Sequence, residues 1–227
     1  MSAVVVGDTQ LRALLEAADR ASTAGRREEE ARFLSDAQAA APGHPMVMNA
    51  LAMSAFSRGD MQQARSLLES ALIVDTRAPT LWLNFALVCR GLNDTSNEMA
   101  ALDKALALNP YYFLALLQKA TTLERLGKAK QAASVFQAFI ACVPPQAQQS
   151  PSVQAAVVYA REAVQSNNQA LDSYLKERLG FLSQSGQERF EECIDVLLGK
   201  KRVFTQQPTF MHFPRLPAIP FYDRGDF

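Results

Sequence analysis

The sequence predicts an all-α superhelix of four helix-turn-helix repeats, followed by a C-terminal helical cap and an extended tail rich in proline and aromatic residues. Three observations lead there. Alanine recurs every 34 residues at Ala18, Ala52, Ala86 and Ala120. A second small position keeps the same period at Ala37, Ala71 and Ala105, with Phe139 in the fourth copy. Turn residues share it too, at Gly25, Gly59, Asn93 and Gly127 within repeats and at Pro42, Thr76, Pro110 and Pro144 between them.

Each mark has a physical role in a helix pair. Small residues let two antiparallel helices approach closely, glycine or asparagine takes the left-handed conformation that ends the first helix, and proline stops the second. Between the marks the apolar spacing is helical, as in Leu11, Leu14, Leu15 and Ala18, and again in Leu67, Leu68, Ala71 and Leu72. One pair alone leaves an apolar face in water, so stability requires several stacked copies.

A helix-turn-helix period of 34 residues resembles the tetratricopeptide repeat (TPR) family over roughly residues 9–144. Trp82 stands at the family's large aromatic position, and Ala105–Pro110 is similar to its repeat ending. The resemblance implies a right-handed TPR superhelix whose first helices line a concave, peptide-binding groove. Its groove positions fall on Met46, Asn49, Met53, Phe56, Leu83, Leu87, Arg90, Leu114 and Leu117, with Arg12, Leu15, Asp19, Thr80, Thr121 and Glu124 alongside. A protein or peptide ligand is the partner implied. Of the residues with which some TPR domains clamp a chaperone's C-terminal carboxylate only Asn84 is present, while Leu15, Asp19, Ala50 and Thr80 differ. Repeat three departs from the pattern in having Glu98 at a usually small position and no glycine in its turn, which predicts a looser or bent junction.

Composition excludes several function classes. Of 227 residues, 48% are hydrophobic and 20% charged, as in globular domains. Lysine plus arginine equal aspartate plus glutamate at 23 each, so no net field draws in nucleic acid or an anionic membrane. The apolar run Ala3–Val6 is too short for a signal-peptide core, and a soluble, cytoplasmic protein is expected. Cys89, Cys142 and Cys193 are few, odd in number and widely spaced, which predicts reduced, buried thiols.

Beyond residue 144 the rhythm breaks at Pro144, Pro145 and Pro151, and capping helices are expected over 145–203. Ser152 is the expected N-cap of the first, residues 166–169 (SNNQ) the expected turn, and Leu171–Leu179 a second helix. A third, Gln187–Leu198, carries Phe190, Cys193, Ile194 and Leu197 on one face. Residues 1–8 are expected to be a flexible N-terminus. Residues 204–227 contain Pro208, Pro214, Pro217 and Pro220 among six aromatic residues, which predicts an extended linker lying on a surface.

The run Leu216–Arg224, with its flanks over 155–227, resembles the junction that leads into the oxygenase domain of bacterial aspartyl/asparaginyl β-hydroxylases. That resemblance implies an iron(II)- and 2-oxoglutarate-dependent dioxygenase in the full-length protein, with the missing oxygenase domain as a second partner. It implies no chemistry for this chain, which ends where that domain would begin. The two histidines, His44 and His212, lie 168 positions apart without a carboxylate motif, so no metal, cofactor or catalytic set is expected here. Neither a Cys-x-x-Cys pair, a phosphate-binding glycine loop nor a nucleophile elbow is present. A free-standing TPR adaptor is the alternative reading.

Overall fold

The computed structural model describes residues 8–145, 150–179, 188–197 and 201. Eight helices form four pairs: α1 (Asp8–Thr23) with α2 (Arg27–Ala40), α3 (Pro45–Ser57) with α4 (Met61–Val74), α5 (Pro79–Gly91) with α6 (Thr95–Leu108), and α7 (Phe113–Arg125) with α8 (Ala129–Cys142). Helices α3, α5 and α7 begin at 45, 79 and 113, so the 34-residue sequence period is a structural period. Two further helices follow, α9 (Pro151–Leu179) and α10 (Glu188–Leu197).

Local chemistry sets the ends. Pro45 and Pro79 occupy the first turn of α3 and α5, where a missing N–H costs nothing. His44 caps α3, its Nδ1 accepting from the Met46 amide at 3.2 Å. Asp60 and Asp94 cap α4 and α6 by accepting from the amides of Gln63 (3.1 Å) and Asn97 (3.2 Å). The Asn97 hydrogen bonds, ahead of Arg65, hold the Asp94 carboxyl below its ordinary range.

The looser junction expected in repeat three does not occur. Asn93 takes φ 59°, close to the 84° of Gly59, because asparagine tolerates the left-handed region better than other side chains. Glu98 is accommodated by pairing: it is buried, accepts from Thr122 Oγ1 at 2.7 Å and forms a salt bridge with Arg125.

The periodic small residues are the contact points. Ala52, Ala71, Ala105 and Ala120 have no exposed surface, and Phe139 fills the fourth copy of its position just as completely. One core cluster joins Leu68, Leu72, Leu81, Phe85, Val88 and Leu102, with Trp82 packed against it and its Nε1 donating to the Thr76 carbonyl at 2.9 Å. A second cluster joins Leu116, Leu123, Phe136 and Phe139 to Val157 and Ala160 of α9.

By compactness the chain divides into two units, residues 1–167 and 168–227. The first holds the four pairs and the start of α9. In the second, the described residues are the end of α9, α10 and Lys201, whose amide donates to the Asp195 carbonyl at 3.1 Å. Residues 166–169 are helical rather than a turn, since neither glycine nor proline interrupts α9, and Ser152 lies inside that helix rather than capping it. The cysteines are not uniformly buried: Cys89 is, Cys142 is half-buried and Cys193 is exposed. The N-terminal residues 1–7, His212 and the tail from 204 onward lie outside the described residues.

Candidate functional site

Three side-chain hydrogen bonds connect the first helices α3, α5 and α7 with one another and with α9 along the surface that the sequence assigns to the groove. Asn84 Nδ2 donates to Asn49 Oδ1 at 2.7 Å, linking α5 to α3. Arg90 Nη1 donates to Gln118 Oε1 at 3.0 Å, linking α5 to α7. The Tyr159 hydroxyl donates to Glu124 Oε2 at 2.6 Å, linking α9 to α7, and this bond raises the Tyr159 pKa above its ordinary value. Tyr159 also stacks edge-on against Phe136, with centroids 5.9 Å apart.

The expected groove residues divide by exposure. Met46 and Leu114, at equivalent positions of repeats two and four, are 45% and 39% exposed, and Arg90 is also exposed. Asn49, Met53, Phe56, Leu87 and Leu117 are half-buried. Leu83 is a correction: it is 5% exposed and belongs to the core cluster of repeats two and three, because its position in α5 turns into the contact with neighbouring helices. Gln118, Tyr159 and the pairing of Asn49 with Asn84 lie outside the residues that the sequence assigns to the groove by its repeat positions. A signal existed, since Asn49 and Asn84, like Glu124 and Tyr159, are 35 residues apart, one beyond the period that stacks the helices.

A pocket of about 320 Å³ lies among Leu15 of α1, Pro45, Met46, Asn49 and Ala50 of α3, Asp75 and Ala78 of the connection between α4 and α5, and Thr80 and Leu81 of α5. It incorporates Met46, Asn49, Leu15 and Thr80 from the expected set. Asp75 is the charged residue of the lining, and its Oδ1 accepts from the Arg77 amide at 2.8 Å.

Cys89 of α5 is buried, and desolvation pushes its thiol pKa up to about 11, with Arg65 opposing. Among the described residues no three His, Cys, Asp or Glu side chains converge as metal ligands, and no helix is long and apolar enough to cross a membrane.

The tetratricopeptide repeat family model matches residues 79–112. Those residues are the third repeat, the copy with the irregular turn. The described helix pairs form an all-α tetratricopeptide superhelix. Solved structures agree with this fold: the anaphase-promoting complex hetero-tetramer Cut9–Hcn1 superposes with TM-score 0.56 at 18% identity, over 66% of this chain and 29% of that one. MamA gives 0.50 at 15% identity over 74% and 94%. The Sgt2 TPR domain from Aspergillus fumigatus gives 0.51 at 16% identity over 58% and 88%. This chain spans under a third of the Cut9–Hcn1 chain that it resembles, and at these identities the likeness is one of fold. No curated protein matches the sequence.

Proposed function

We propose that this TPR region is a polypeptide-binding scaffold whose concave face, lined by α3, α5 and α7, holds a segment of another protein. The observation that carries the reading is the apolar stripe of Met46, Met53, Phe56, Leu87, Leu114 and Leu117, left partly exposed at repeating positions. Apolar side chains held open at a fixed spacing suit a ligand that is itself a chain, and methionines adapt to varied shapes. The amides of Asn49, Asn84 and Gln118 beside the stripe offer hydrogen bonds to a peptide backbone.

Selection of peptides from a displayed random library on the full chain tests this. Met53→Lys with Leu87→Glu is expected to abolish binding while circular dichroism and melting stay near those of the parent. Retained binding would place the surface elsewhere.

A finer reading rests on the sequence run Leu216–Arg224 alone: that the scaffold orients a substrate for, or braces, a hydroxylase-type oxygenase domain. Iron(II)- and 2-oxoglutarate-dependent turnover by the product of the native gene, lowered when Met53 and Leu87 are changed, supports it. A native reading frame encoding no such domain leaves the free-standing adaptor.

A further inference from the structure

We infer that the pocket between α1, α3 and the start of α5 is a specificity site that takes one lysine or arginine side chain of the bound polypeptide. The inference rests on the polypeptide-binding reading and adds the chemistry of the ligand. Leu15, Met46 and Leu81 contribute apolar walls, and Asp75, Asn49 and Thr80 are the lining residues whose side chains carry acceptor oxygens. No cationic side chain lines the pocket. Long basic side chains bury their stems on apolar surface and keep their heads on acceptors, which is the division this lining offers.

Rival occupants fit less well. An acidic side chain would bring a second carboxylate against Asp75, an unfavourable contact that strengthens as water leaves. An apolar one would desolvate the Asp75 carboxylate with nothing to neutralise it. The carboxylate is also pre-oriented, since the Arg77 amide holds Oδ1 at 2.8 Å and a carboxylate has further lone pairs to offer. A volume of about 320 Å³ accommodates one long side chain together with a few waters at ~30 Å³ each.

The test uses the full chain and fluorescein-labelled peptides taken from a randomised display library. Selected peptides are expected to share a lysine or arginine at one position. Replacing that residue with norleucine should weaken binding about tenfold, between the loss of an exposed ion pair and that of a buried one. Asp75→Asn, which keeps an oxygen for the Arg77 amide, should weaken the basic peptide similarly and leave the norleucine peptide unchanged. Thr80→Lys should shift preference toward a glutamate peptide. An anchor position that is apolar or acidic, or a basic peptide indifferent to Asp75→Asn, overturns the inference and leaves the scaffold standing. Peptides that bind Met53→Lys/Leu87→Glu undiminished overturn the groove itself, and a library yielding no binder overturns both.

Discussion

Thr122 Oγ1 donates to Glu98 Oε1 at 2.7 Å, so the one acid buried in the interior of α6 is satisfied from α7, in the next repeat. Arg125 closes the pair from the rim, with its side chain 40% exposed against 2% for Glu98. The two partners are therefore unequal. Arg125→Met strands a carboxylate without its cation and is expected to cost ~3 kcal/mol, whereas Glu98→Gln leaves an arginine that water can reach and should cost ~1 kcal/mol. Urea unfolding of the two variants checks the order, and a milder Arg125→Met would mean that burial does not set the cost.

Ala52 and Ala86 lie where the helices of a repeat meet, with 0% and 2% of their surface exposed. Leucine at either site should overpack the contact and destabilise by about 1–3 kcal/mol. Leucine at the exposed Ala100 should change stability by less than ~0.5 kcal/mol. Thermal melts that fail to separate the two classes would contradict the register.

Gly59 holds φ 84° with nothing within 4 Å of a Cβ built there, so Gly59→Ala isolates the backbone cost. That cost is expected at ~1–2 kcal/mol, and Asn93→Gly should be neutral or slightly stabilising.

Cys89 combines burial with a thiol raised from 9.0 to about 11. Alkylation of the native protein at pH 8, read by mass spectrometry, should modify Cys193 first, Cys142 next and Cys89 only on unfolding. Because folding raises this pKa, Cys89 favours the folded state most fully below pH 9, and that contribution drains away as pH rises toward 11.

The repeat was legible because its marks are backbone and steric necessities. A left-handed residue at Gly25, Gly59, Asn93 and Gly127, and a small one at Ala18, Ala52, Ala86 and Ala120, recur wherever the pair must turn or touch. Partnerships were harder to read. Glu98 looked like a defect since Thr122 and Arg125, 24 and 27 residues on, are joined to it only by folding. The SNNQ segment looked like a turn on local preference, yet it lies inside the 29-residue α9. Leu83 shares the period of its groove neighbours, and periodicity alone does not reveal that its side chain is buried in the core cluster.

Amide hydrogen exchange of the full chain, with and without a selected peptide, tests the central claim most directly. Protection on binding should concentrate in α3, α5 and α7 and be lost in Met53→Lys/Leu87→Glu. Protection confined to α4 and α6, with the first helices unaffected, would contradict a concave binding face.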